Sequence, residues 1–277
     1  MRVALCQIPV SSKPLVNLER VRSALHEAAG SGADLAVFPE ATQVRFGSDL
    51  LAGAEPLDGE FCTELAAAAA AARVSVVAGV FEPAPGGRVY NTAVAYGADG
   101  ALVASYRKLH LFDALGQRES ELVAPGPETV LADLAGVRAG LQICYDIRFP
   151  ELSRALAVAG ASLLVVSAAW AAGPLKEEHW ITMLRARAIE NTVWVAAAGQ
   201  VPDPDEPPTR APTGIGRSML IDPMGVVRAD LGPSAGVTVA EADIGMTGPV
   251  RAALPCLENR REDVFGPALY YQPQARH

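Results

Sequence analysis

Residues 137–170 read VRAGLQICYDIRFPELSRALAVAGASLLVVSAAW, and their pattern decides the class of fold. Residues 137–144 make a short apolar run of the kind a strand shows when it is buried on both faces, and 162–167 make a second. Between them Pro150 opens a segment with apolar residues at helical spacing through 159, and proline is favoured at a first helical position. Strand, helix and strand in this order predict a crossover unit of an α/β protein. One residue does not follow from packing alone. Cys144 ends the first run and is followed at once by Tyr145, Asp146 and Arg148, then by Pro150 and Glu151.

The same alternation extends outward. Downstream come a helix over 176–191, a strand over 192–198, and PDPDEPPTRAPTG at 202–214, whose prolines and acids predict a surface loop. Strands at 218–222 and 226–229 then form a hairpin over Pro-Met-Gly. Upstream, strands at 3–8 and 34–38 flank a helix over 15–29, and an alanine-rich helix at 61–73 leads to a strand at 74–81. A turn at 83–88 and strands at 89–96 and 102–106, joined across GADG, follow. Each half begins strand–helix–strand and ends in hairpins, which predicts a four-layer αββα sandwich of two mixed sheets with helices on the outer faces. No segment has the composition of an interdomain linker, so residues 1–277 are expected to form one domain, with about 255–277 as a C-terminal tail.

Composition narrows the function. Half of the 277 residues are apolar, enough for a sizeable core, and the formal net charge is −8 with basic residues scattered. That balance weighs against a nucleic-acid or anionic-membrane partner. The apolar N-terminal run is cut by Pro9, unlike a signal peptide, and no stretch approaches the roughly 18 apolar residues of a membrane span. A cytoplasmic protein is the expectation. Cys6, Cys62, Cys144 and Cys256 lie far apart, with no metal-ligand spacing, so neither a metal site nor a disulfide framework is expected.

In α/β proteins reactive groups sit just past the carboxyl ends of strands, where loops line a crevice. Glu40 after LAVFP, Lys108 in SYRKLHLFD and Cys144 answer that description. Singly, each has an ordinary reading: a loop carboxylate, a rim lysine with an apolar stem, and a small buried hydrophobe. Cys6 and Cys62 fit core positions better. No pattern places His26, His110, His179 or His277 as a base for the thiol, and GIGRS lacks the third glycine and the lysine of a phosphate loop.

Taken together, FPE, YRKLHL and CYDIRFPE resemble the Glu–Lys–Cys signature of the carbon–nitrogen hydrolase (nitrilase) superfamily. The likeness runs from VALCQ to GRSMLIDPMGVV and a tail like RREDVF. RVYNTAVAYGADG, RESELVAPG, EEHWITMLRARAIEN and AAAGQ most resemble its Nit branch, which includes deaminated-glutathione amidases and ω-amidases. The resemblance implies Glu40 as general base, Cys144 as nucleophile and Lys108 as the cation supporting the tetrahedral intermediate. Glu119 matches a second glutamate, with Glu121 two residues away as its rival. Tyr145 and Trp170 are expected at the substrate, and Arg45 or Arg148 as partners for a substrate carboxylate. Asp146, Arg148 and Glu151 are otherwise expected to form ion pairs around the Cys144 turn. The implied reaction is hydrolysis of a small dicarboxylate-type amide through a thioester, with no metal or organic cofactor. The implied assembly is a homodimer or higher homo-oligomer. The rival readings are ω-amidase, N-carbamoyl amino acid hydrolase and a non-catalytic binding module.

Overall fold

A computed structural model of the chain describes residues 1–265. Residues 266–277, the end of the expected tail with His277, lie outside the described residues. The first half contains β1 (Arg2–Gln7), α1 (Pro14–Gly30), β2 (Leu35–Val37), α2 (Leu50–Gly53), α3 (Glu60–Ala72), β3 (Ser75–Ala84), β4 (Arg88–Tyr96), β5 (Leu102–Arg107) and β6 (Val123–Ala124). The second contains β7 (Leu131–Leu134), β8 (Val137–Ile143), α4 (Pro150–Val158), β9 (Leu163–Ala168), α5 (Lys176–Asn191), β10 (Trp194–Gly199), β11 (Met219–Ile221), β12 (Val227–Asp230), β13 (Gly236–Glu241), α6 (Thr247–Ala253) and α7 (Glu262–Phe265).

These strands form two sheets, ordered β13-β1-β2-β3-β4-β5, with β6 beside β4, and β12-β11-β10-β9-β8-β7. β1, β2 and β3 are parallel, and β4, β5 and β13 extend them antiparallel. In the second sheet β8, β9 and β10 are parallel and β7, β11 and β12 antiparallel. Both sheets are therefore mixed, and the second repeats the plan of the first, with β7 flanking β8 as β13 flanks β1.

Side-chain alternation builds the layers. In β1, Val3 and Leu5 join a buried cluster with Ala139, Leu141 and Val165 of the other sheet. Ala4 and Cys6 instead join Leu18, Val21 and Leu25 of α1 and Phe61 and Leu65 of α3. On β8, Gly140 lies against Leu156 of α4 and Gln142 donates to Ser153 of α4 at 2.9 Å, so Ala139 and Leu141 turn the other way. This is the expected αββα order. Each fully buried leucine or phenylalanine stabilises it by about 1.5–3 kcal/mol. Cys6 and Cys62 are core residues, and burial raises both thiols, that of Cys62 to about 11.

Several boundaries move for local reasons. The expected strand over 192–198 starts at Trp194, because Thr192 takes φ 50° to end α5. The expected turn over 83–88 narrows to three residues, with Gly86 and Gly87 at φ 74° and 68°, the left-handed pair a tight hairpin needs. β7 and β13, the strands that flank the two parallel triplets, were not among the expected elements.

Candidate active site

β2, β5 and β8 end at one side of the sandwich, and just past them stand Glu40, Lys108 and Cys144, the three residues expected to be reactive. Glu40 follows β2 by way of Phe38 and Pro39 and is 1% exposed. Its position depends on Gly79 of β3, where a Cβ would stand 2.4 Å from the Ala41 nitrogen and 2.8 Å from Glu40 Cα. Only glycine permits that approach. Lys108 follows β5 directly and is 2% exposed. β8 stops one residue short of expectation because Cys144 has φ 48°, and the chain enters a 3₁₀ turn over Cys144–Arg148. A left-handed cysteine is a strained position of the kind that gathers at functional sites.

Lys108 Nζ donates to Glu40 Oε1 at 2.9 Å and to both oxygens of Glu119, Oε2 at 2.9 Å and Oε1 at 3.0 Å. Asn91 of β4, which the sequence reading passed over, donates Nδ2 to Glu40 Oε1 at 2.7 Å and to Glu119 Oε1 at 3.2 Å. The second Glu40 oxygen accepts the backbone N–H of Ala169, past β9, at 2.8 Å. Phe112 N–H donates to Glu119 Oε2 at 2.6 Å. Glu119 thus stands at Lys108, whereas Glu121 is exposed and meets Arg118 at 3.2 Å.

Burial alone would push the Lys108 ammonium down, but the Glu119 and Glu40 carboxylates reverse this and hold it well above its usual value. Burial, then the Glu40 charge, raises the Cys144 thiol well above the ordinary range, and Lys108 only partly offsets them. Both influences favour the protonated form of the sulfur beside Glu40. A cavity of about 260 Å³ opens over Glu40, Lys108, Glu119 and Cys144, with Phe46, Leu50, Phe112, Tyr145, Trp170 and Lys176 among its other walls.

Asp146 is fully buried, and its partners are not the arginine expected for it. It accepts Tyr106 Oη at 2.7 Å and Ile143 N–H at 2.9 Å on one oxygen, and His110 N–H at 3.1 Å on the other, with His110 Nδ1 at 2.8 Å. Tyr106 and His110 bracket Lys108 in sequence, so this carboxylate ties the cysteine turn to the lysine strand. Glu151 is exposed at the start of α4.

Arg45 and Arg148, the arginines expected to meet a substrate carboxylate, have other partners. Arg45 is turned into the 202–214 loop, where Nη1 donates to the Pro207 carbonyl at 3.1 Å and Nη2 lies 3.3 Å from Glu206. It is not a wall of the cavity. Arg148 lies against the Trp170 ring, 4.8 Å from its centroid, and approaches His179 Nδ1 at 3.4 Å, also outside the wall. Tyr145, Trp170 and Lys176 stand in the cavity wall. Among the described residues no cluster of His, Cys, Asp or Glu is arranged to hold a metal ion, and no helix is long and apolar enough to cross a membrane.

The fold is a sandwich of two mixed sheets with a Glu–Lys–Cys cluster past its strand ends. The chain belongs to the carbon–nitrogen hydrolase family, whose model matches residues 2–252. Among curated proteins it is 39% identical over 265 residues to the deaminated glutathione amidase of Escherichia coli O157:H7, across 94% of this chain and 97% of that one. It is 35% identical over 272 residues to omega-amidase NIT2 of Danio rerio, across 95% and 96%. Among solved structures it matches an amidase mutant from Nesterenkonia sp. AN1, with TM-score 0.81 and 26% identity over 95% of both chains. That structure shows the acetamide moiety of fluoroacetamide added covalently at the active site cysteine. The chain is a hydrolase of carbon–nitrogen bonds in linear amides other than peptides.

Proposed function

We propose that the protein hydrolyses the carboxamide of a small ω-amide of a dicarboxylic acid, in the manner of a deaminated-glutathione amidase. Glu40 takes the Cys144 proton as the sulfur attacks the amide carbon, forming the C–S bond and a tetrahedral oxyanion. Lys108 and the backbone N–H of Tyr145 hold that anion, because fixed donors in a dry site stabilise developing charge without reorganising. Glu40 returns the proton to the nitrogen, the C–N bond breaks and ammonia leaves. Glu40 then removes a proton from water as its oxygen attacks the thioester, the C–S bond breaks, and the thiol recovers its proton.

The observation that carries this reading is the three-way hold on Glu40. Lys108, Asn91 and the Ala169 N–H fix a carboxylate beside a thiol that burial and the Glu40 charge push towards its protonated form. Such a thiol needs a base within reach, and Glu40 is that base. Glu119 acts through Lys108, holding its ammonium in place.

The test is ammonia release over deaminated glutathione, α-ketoglutaramate, an N-carbamoyl amino acid and a nitrile, with intact-mass detection of an acyl-enzyme. Deaminated glutathione is expected to give the highest kcat/KM, and Cys144→Ala to lose at least about a thousandfold while keeping its far-ultraviolet spectrum. Turnover of the carbamoyl compound alone, or silence across the panel, overturns the proposal.

A further inference from the structure

Lys176 is the first residue of α5, is 5% exposed, and shares the cavity wall with Cys144. Its ammonium sits 4.7 Å from the Phe112 ring centroid and 4.8 Å from that of Trp170. The indole is fixed in turn, since Trp170 Nε1 donates to the Lys176 carbonyl at 2.8 Å. Ring and ammonium are thus held as one piece.

What this lysine lacks is an anion. The acids of the cavity wall, Glu40 and Glu119, are both bonded to Lys108. Its chain neighbour Glu177 is turned to Arg217 at 3.0 Å. Among the described residues no carboxylate lies within ion-pair distance of Lys176. Two aromatic faces offset part of the cost of burying an ammonium, but an unpaired buried charge remains expensive. Burial, followed by the charge of Arg148, lowers the Lys176 ammonium from its ordinary value. The group is held in place, desolvated and open on the side facing the cavity.

We propose that Lys176 binds the carboxylate at the far end of the substrate and so selects ω-amide acids over neutral amides. The inference rests on the amidase reading above and adds the residue that sets substrate class. Arg148 also stands 4.8 Å from the centroid of the Trp170 ring, and its charge opposes that of Lys176. Arg45 is engaged elsewhere and takes no part.

The experiment has two arms. In the first, kcat/KM is measured for glutaramate and for butyramide, and the ratio is compared between the natural enzyme and Lys176→Met. The ratio is expected to fall on the order of thirtyfold, carried by KM for glutaramate, as for loss of a charge-assisted contact. In the second, glutarate is titrated calorimetrically into Cys144→Ala with and without Lys176→Met, and the Kd is expected to weaken by a similar factor. Lys176→Arg should recover most of both effects, which a merely structural role for the ammonium does not predict. Circular dichroism verifies each variant, and Lys176→Gln replaces the methionine variant if that one does not fold. A ratio and a Kd unchanged within threefold overturn the inference, as does a natural enzyme with no preference for glutaramate. Should neither amide be turned over, the amidase reading fails by itself, and the glutarate titration alone decides the role of Lys176.

Discussion

Cys144 combines a left-handed backbone with a thiol whose proton is held tightly. Burial and the Glu40 charge both oppose a resting thiolate, so in the proposed reaction the sulfur attacks as Glu40 accepts its proton. The difference in absorbance near 240 nm between the natural enzyme and Cys144→Ala is therefore expected to show no thiolate from pH 6 to pH 9. A thiolate titrating at or below the ordinary thiol value of about 8.5 overturns that account. Glu40, Lys108 and Cys144 could be read from the sequence because each stands just past a short apolar run in a recognisable stretch. Glu119 and Glu121 could not be separated, because two residues on one 3₁₀ turn differ only in the direction each side chain takes. Asn91 sits in a strand pattern where an inward polar residue leaves no periodic trace. Lys176, in GPLKEEHW, looks like any charged residue at a helix start until the walls of the cavity are known.

Among the elements, the 202–214 loop is held by two carboxylates, Asp203, which pairs with Arg20 at 2.6 Å, and Glu206. Glu206 accepts Ser11 Oγ at 2.5 Å, Ser12 N–H at 2.6 Å and Ser12 Oγ at 2.7 Å, with Arg45 at 3.3 Å. The Ser11 hydroxyl, followed by Ser12 and the Arg45 charge, lowers this carboxyl to about 2. A carboxyl depressed in the folded state contributes stability that is complete above its unfolded value and fades as pH falls from about 4.5 towards 2. The loop carries Ala211 and Pro212 to the cavity wall. Hydrogen exchange of amides within 203–212 is expected to quicken across that acid window. Glu206→Gln should quicken it several-fold at pH 7 already, and unchanged exchange in the variant would refute the anchor. Composition identified this segment as a loop but not its anchor, since the partners of Glu206 lie near the other end of the chain. The long helices were legible from spacing within one segment. β13 was not, because its partner β1 is more than two hundred residues away and its own side chains are largely half-exposed or exposed.

At the scale of the molecule, the site belongs to neither sheet. The first sheet brings Glu40, Asn91 and Lys108, and the second brings Cys144 and the Ala169 N–H. Ser167 Oγ donates to the Phe38 carbonyl at 2.8 Å and Gln7 Oε1 accepts the Ser218 N–H at 2.8 Å, and these bonds join the two sheets. Activity should therefore persist only while the sheets are docked. In urea, amide hydrolysis and tryptophan fluorescence are expected to share one midpoint. Leu141→Ala, fully buried on the face of β8 turned to the first sheet, should lower both together by about 2–5 kcal/mol. Activity lost well before the fluorescence change would show that the site loosens independently of the sheets. The place of β13 adds a matter of timing. The sheet holding Glu40 and Lys108 receives its last strand from residues 236–241, roughly 130 residues after β5. At a synthesis rate of about 5–20 residues per second, the nascent enzyme waits on the order of ten seconds with that sheet open along β1. A chain released early carries all the reactive residues yet leaves that edge unpaired, exposed to whatever strand arrives first.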